Sequence, residues 1–299
     1  MTDIGELVAV AFLQSQADEE CPFKEEFEGP SEEDPEGIER DDRDSVQEEQ
    51  SNDGGTLGKN LTNGSPGKGG TIGGPYTADK REAEPANDTK RTKGLRMASV
   101  KGTDLIDGGN YPFHLAAHHL IPGVASLEKS LIKPYMEKDG KVKTSGGNSY
   151  TVQCHIGYNV NGSHNGVWLP GNYAIRSSGE HKNTPVSGKK WSALEAQHFD
   201  WQMNYVASVC KVSKAQFHDT HTEYNDAVEK LLNKIATVLY AHQESCEYCK
   251  SNEDISPPYL IKERLYNISA YLKANIAGYP YNWKRPWITS NRWRDEAFL

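Results

Sequence analysis

An α+β fold is predicted for residues 95–299, behind a disordered acidic leader over residues 1–94, and three observations predict it. Tyr150, Val152, Cys154, Ile156, Tyr158 and Val160 alternate with Thr151, Gln153, His155, Gly157 and Asn159, the period of a strand. Ala227, Val228, Leu231, Leu232, Ile235, Ala236 and Leu239 fall on one face of a 3.6-residue period, which predicts a helix over Thr222 to His242. The third is a break in charge. Residues 1–90 carry 8 Lys+Arg and 23 Asp+Glu, a net −15, whereas residues 91–299 carry 25 and 19, a net +6.

The leader reads as three pieces. Leu7 to Leu13 is an apolar patch beside Asp3 and Glu6 with no basic stretch before it, so it reads as a short docking helix and not as a signal peptide. From Ala17 to about Asp53 the chain is acidic and too poor in apolar residues to offset its ordering entropy. Gly54 to Gly74 is rich in Gly, Asn, Thr and Ser, a flexible-linker composition. Together they read as a secretion or docking segment dispensable for chemistry. No apolar run approaches the roughly 20 residues that cross a bilayer. The basic body suits a polyanionic partner.

Within the body, Leu127, Leu131 and Ile132 suggest a helix over Ser126 to Met136, limited by Pro134. Turns follow at Lys138-Asp139-Gly140-Lys141 and Gly146-Gly147-Asn148. The strand over 150–160 leads into a polar turn, Asn161-Gly162-Ser163-His164-Asn165-Gly166, and then Val167-Trp168-Leu169-Pro170. A polar loop spans 171–190. Leu194, His198, Trp201, Tyr205 and Val209 mark a helical stripe over 191–209, and a further helix is expected from about Tyr259 to Ala274.

The chemistry concentrates in histidines. Phe113-His114-Leu115-Ala116-Ala117-His118-His119-Leu120-Ile121-Pro122 carries an adjacent pair, and neighbours on a strand point to opposite faces. One imidazole could hold a metal while the other serves a different partner. His218 and His221 stand three apart just before the best helix; if its first turn begins there, both share one face. Two such histidines plus one from a strand make a three-nitrogen site with open positions, suited to a borderline divalent metal. The remaining strand histidine could be a general base, since its neutral form exists near pH 7.

The pieces "AAHHLIPG", "GYNVNGSHNGVWLP" and "QFHDTHTEYNDAV", in that order over about residues 105–290, resemble AHH-type nucleases of the HNH/endonuclease VII superfamily, which share a ββα-metal core. Such domains are often the toxic parts of bacterial polymorphic or type VI-secreted effectors. The resemblance implies His118 as a metal ligand, His119 as the general base, Asn165 as the residue pinning the loop that holds the base, and His221 with His218 as further ligands. It implies a single divalent ion (Mg²⁺, Mn²⁺, Ni²⁺ or Zn²⁺), DNA as substrate, and a cognate immunity protein. It also implies synthesis in a bacterial cytoplasm, secretion without a signal peptide through an apparatus or adaptor that reads the leader, and action in a target cell. Ribonuclease activity at the same site and a non-catalytic metal-stabilised binding module are the alternatives. The 48 or so residues between Gly171 and His218 exceed what a compact ββα unit needs, so His181 and His198 stand as substitute ligands.

The five cysteines do not form a disulfide framework. Cys246 and Cys249 make a lone C-x2-C that could bind structural zinc, with His242 as a third ligand; reduced thiols or a local disulfide are the alternatives. Trp283, Trp287 and Trp293 with Lys284, Arg285, Arg292 and Arg294 either stack on nucleic acid or wrap the core. His114, His155 and His164 carry no assignment.

Overall fold

The computed structural model describes residues 21–24, 53–63, 96–104, 106–137, 139–143, 147, 149–152, 156, 158–176, 191, 198–255, 258, 261–277 and 283–292. Its elements run α1 (Gly54–Asn63), β1 (Arg96–Val100), β2 (Gly109–His119), β3 (Gly140–Lys143), β4 (Ser149–Val152), β5 (Gly166–Gly171), α2 (Tyr173–Arg176), α3 (Phe199–Ser213), α4 (Thr222–Ser245), α5 (Glu247–Ser251), β6 (Asp254–Ile255) and α6 (Ile261–Ala277). Helices stand beside two small sheets, an α+β fold. The apolar patch over 7–13, His155, His181, Cys154, Trp293 and Arg294 lie outside the described residues.

The chain divides into two units, each drawing on several parts of it. One comprises residues 53–120, 161–224 and 270–299 and is called the histidine unit below. The other comprises residues 1–52, 121–160 and 225–269 and is called the cysteine unit.

In the histidine unit β2 is the central strand of an antiparallel sheet ordered β1-β2-β5. The pairing sets His118 opposite Val167 and His119 opposite Gly166. Ala98, Val100 and Phe113 pack with Trp201, Tyr205, Val206 and Val209 of α3, which holds Trp201, Tyr205 and Val209 of the predicted stripe; His198 precedes the helix and Leu194 lies outside the described residues. The helix ends at Lys214, whose left-handed φ of 56° lets its N–H close on the Cys210 carbonyl. Leu115 and Trp168 pack with Leu57 and Leu61 of α1.

That last contact corrects the linker reading for Gly54–Asn63. Asp53 caps the segment: Oδ1 accepts from the Gly55 N–H at 2.9 Å and the Thr56 N–H at 3.2 Å. Leu57 and Leu61, one turn apart, are fully buried. Tertiary burial of two leucines prevails over the weak helix propensity of a Gly- and Asn-rich stretch.

The cysteine unit holds the second sheet, in which β4 pairs antiparallel with β3 and parallel with β6. The strand predicted over 150–160 therefore ends at Val152, and Ile156 and residues 158–160 are irregular. The His-His end of β2 pairs with β5. Every residue of β5 is buried, so it carries no alternation to read. The helix predicted over 126–136 is instead a wide turn at Gly123–Leu127 and a tight turn at Lys133–Tyr135. Leu131, counted on its apolar face, is 47% exposed. The main body of α4 buries Val228, Leu231, Leu232, Ile235, Ala236 and Leu239, the stripe the sequence predicts. Its polar flank ties the turns down: the Asn225 carbonyl accepts from Ser126 Oγ at 2.8 Å, and Gln243 Oε1 accepts from the Tyr135 hydroxyl at 2.8 Å. Among the described residues no helix is long and apolar enough to cross a membrane.

Candidate active site

His118 and His119 are the last two residues of β2 and face opposite sides of the sheet. His118 is buried. It meets the loop that precedes α4. That loop is held as an irregular segment by backbone contacts at both ends. The His218 N–H donates to the Pro170 carbonyl at 2.7 Å and forms a parallel bridge with Gly171, so it continues the edge of β5. The Asp219 N–H donates to the Thr289 carbonyl at 3.1 Å, and the Thr220 carbonyl accepts from the Asn291 N–H at 2.8 Å. The buried Asp219 carboxylate takes the Trp191 indole N–H at 3.0 Å and the Arg292 guanidinium at 3.3 Å.

The helix begins at Thr222, so His218 and His221 precede it and do not share a helical face. The loop still brings both to His118. Ring centroids lie 4.8 Å apart for His118 and His218, 5.0 Å for His118 and His221, and 5.3 Å for His218 and His221. One ring nitrogen of each lies within 4.8 Å of the other two. Tyr224, in the first turn of α4, donates its hydroxyl to the Leu120 carbonyl at 2.6 Å and sets its ring 5.3 Å from that of His118.

His118 Nε2 and His218 Nδ1 are buried and meet no hydrogen-bond partner. A buried polar atom left so is costly unless something else satisfies it. Burial, helped by the neighbouring imidazoles, drives the pKa of His118 far below its usual value and that of His218 to about 3. Both rings are neutral at pH 7 and offer lone pairs. Three imidazoles, with two orphaned nitrogens among them, fit a divalent metal with coordination positions to spare.

On the other face, His119 Nε2 lies 2.9 Å from Asn161 Oδ1. The Asp53 N–H donates to the same oxygen at 3.2 Å, which identifies that atom of the amide as the acceptor. His119 Nε2 must then carry the proton, and Nδ1 the lone pair. Burial lowers the His119 pKa; the hydrogen bond to Asn161 and the nearby Asp53 charge oppose it without reversing it. The cover over this face is α1, whose Asn60 amide donates to the Asn161 carbonyl at 2.8 Å. Asn165, fully buried, holds the strand end through its backbone carbonyl, which accepts the Leu120 N–H at 2.9 Å. Gly166 serves space and not a turn: its φ is −131°, and an added Cβ would stand 2.7 Å from a Leu57 methyl.

His198, at the start of α3, takes no part in the histidine cluster. In the C-terminal segment Trp283 joins the core, Thr289 bonds Gln216 and the Phe217 carbonyl, and Arg292 lies over Trp191, so these residues wrap the fold. Lys284 and Arg285 are exposed, with Arg285 paired to Glu223 at 2.6 Å. Asn161, Asp53 and Tyr224 are absent from the sequence-based site. Asn161 stands four residues before Asn165 in the same turn and was within reach of sequence reasoning. Asp53 is one acid in an acidic stretch and carries no local signal.

A second group of potential metal ligands stands among the described residues, Cys21, His242, Cys246 and Cys249 of the cysteine unit.

A family model described as a nuclease family of the HNH/ENDO VII superfamily with conserved AHH matches residues 106–256. The matched span holds Ala117-His118-His119, Asn161, Asn165, His218 and His221. No curated protein and no solved structure matches the chain. With half of its length matched, and with the conserved Ala-His-His at the end of a central strand beside the histidine cluster, the chain belongs to the AHH nuclease family of the HNH/endonuclease VII superfamily.

Proposed function

We propose that this nuclease hydrolyses phosphodiester bonds in DNA with a single divalent ion held by His118, His218 and His221 and with His119 as general base. The observation that carries the reading is the division of labour at one strand end. His118 turns a neutral lone pair toward two other imidazoles, while His119 is fixed by Asn161 in the tautomer that leaves Nδ1 basic.

When bound, the ion would polarise the scissile phosphate and stabilise charge on the leaving oxygen. His119 Nδ1 would take the proton of the attacking water. Asn161 Oδ1 holds the opposite nitrogen and becomes the partner of the imidazolium so formed. Asn165 keeps the strand end closed behind it. The +6 charge of residues 91–299 suits a polyanionic substrate, DNA follows from the resemblance to DNA-cleaving members of the superfamily, and with no base-reading module in the sequence little sequence preference is expected.

The resemblance to effector domains supports a role as an antibacterial toxin, restrained by a cognate immunity protein and delivered through the leader. The dispensable part of that leader is narrower than residues 1–94, because Asp53 and α1 contact Asn161.

The test is the purified full chain with supercoiled plasmid and Mg²⁺, Mn²⁺, Ni²⁺ or Zn²⁺. Nicking is expected with at least one ion, and His119→Ala is expected to lose it while keeping its metal. Nicking by His119→Ala at the parent rate, or by no metal-loaded sample, overturns the assignment. Cleavage of RNA alone transfers it to a ribonuclease at the same site.

A further inference from the structure

We infer that Cys21 closes a four-ligand structural zinc site with His242, Cys246 and Cys249, and so fastens the acidic leader to the cysteine unit. The inference extends the reading of the lone C-x2-C and does not depend on the nuclease mechanism.

Three of the ligands are prepared locally. His242, Cys246 and Cys249 are spaced i, i+4 and i+7 across the end of α4 and the start of α5. The Cys246 N–H donates to the His242 carbonyl at 2.8 Å, and the Cys246 carbonyl accepts from the Lys250 N–H at 3.1 Å. Cys246 caps α5 with an extended backbone (φ −76°, ψ 124°), so the chain turns between the two helices, and these two hydrogen bonds hold the turn with the three ligand atoms gathered within 4.8 Å of one another. Three ligands would leave an open position.

Cys21 fills that position from more than 200 residues away. Its Sγ lies 3.6 Å from Cys249 Sγ and 3.4 Å from His242 Nε2. A tetrahedral zinc with Zn–S near 2.3 Å and Zn–N near 2.05 Å has edges of about 3.8 Å between sulfurs and about 3.6 Å between sulfur and nitrogen. The observed edges are near those values. All four ligand atoms lie within 4.8 Å of one another, and all three thiols are free. Three sulfurs and one nitrogen are the donor set of a closed zinc site, with no position left for water or substrate.

The turn that carries Cys21 is anchored too. The Lys24 N–H donates to the Cys21 carbonyl at 2.9 Å. Phe23 is fully buried, with its ring 5.9 Å from Tyr135 and 6.1 Å from His242. Asp18-Glu19-Glu20 and Glu25-Glu26 flank this turn in sequence. One buried phenyl ring in an acidic stretch does not offset the ordering of four residues, and a metal bond does.

The test is the full chain purified under reducing conditions from zinc-supplemented cells, with metal counted after dialysis. A zinc equivalent is expected that survives His118→Ala with His221→Ala and disappears in Cys246→Ser with Cys249→Ser. Cys21→Ser, in the leader, should weaken zinc affinity at least about tenfold, since even residues behind the ligands cost that much. With Co²⁺ in place of zinc, Cys21→Ser should lose about a third of the thiolate-to-cobalt absorption, one sulfur of three. Amides 21–24 should lose hydrogen-exchange protection on chelation. An unchanged zinc count in the double cysteine variant overturns the site, as does a zinc-free protein with a disulfide among these cysteines. Zinc affinity and cobalt spectrum unchanged in Cys21→Ser overturn the leader's part in it.

Discussion

The histidine cluster and the cysteine cluster differ in ligand count, in ligand type and in what stands beside them. The first gathers three nitrogens from a strand end and an irregular loop, and beside it His119 waits with a basic nitrogen. The second gathers three sulfurs and one nitrogen, and beside it stand the rings of Phe23 and Tyr135, which offer nothing to a reaction. An ion on three imidazole ligands keeps positions for water and substrate, and imidazole donors leave its charge to polarise them. An ion on four ligands with three thiolates has neither. Coordination number and the neighbouring groups, more than the metal, separate a site built for chemistry from one built for structure.

The sharpest way to break this comparison is to remove a ligand from each cluster. His118→Ala should abolish cleavage and release one metal equivalent, while Cys249→Ser should lower the melting temperature and leave the metal at the histidine cluster in place. If both variants lose cleavage and stability together, the two roles are not separate. His119→Ala should slow plasmid nicking by roughly 10²–10⁴-fold, the contribution of a positioned general base, with metal content unchanged by elemental analysis. Asn161→Ala should cost about ten- to a hundredfold, as for a residue that orients another, read as kcat with little change in KM.

Smaller effects probe what covers the site. Gly166→Ala should destabilise by about 1–3 kcal/mol, an overpacking cost, because its Cβ would press on the methyl groups of Leu57 and Leu61. Chemical denaturation measures it, and Leu57→Ala in the same chain should reduce the penalty. The smallest is a pH effect on the metal-free protein. His118 and His218 have folded-state pKa values below the unfolded value, so the unfolded chain binds more protons as pH falls. Stability should decline from about pH 6.5 downward, toward the His218 value of about 3. A variant with both histidines replaced by phenylalanine should lose that slope. Persistence of the full slope would show that other groups cause it.

Much of this was legible because it is local. The His118-His119 pair announces itself on an apolar strand whose alternation sends the two rings to opposite faces. The face of α4 follows from its 3.6-residue period, and His242, Cys246 and Cys249 stand close together in the chain where α4 gives way to α5. Three things were not legible. β5 is buried throughout and shows no period. His218 and His221 reach His118 from a loop that Pro170, Thr289 and Asn291 hold through backbone hydrogen bonds, and such bonds leave no mark on side-chain identity. The helix α1 hid in a glycine-rich stretch because its stability comes from Leu57 and Leu61 meeting Leu115 and Trp168, residues more than 50 positions away.

By itself the sequence determined the chemistry on offer: the Ala-His-His strand, the two histidines before α4, the Asn-rich turn, the C-x2-C and the family to which they belong. Each depends on neighbours a few residues apart, where covalent geometry and side-chain period decide the outcome. Only the tertiary structure decided which of these groups meet. It brought His218 and His221 to His118, chose Asn161 to hold His119, and drew Asp53 out of the acidic leader to Asn161 and Cys21 to the cysteine cluster. Those meetings depend on burial and backbone pairing across long separations, and no local pattern encodes them.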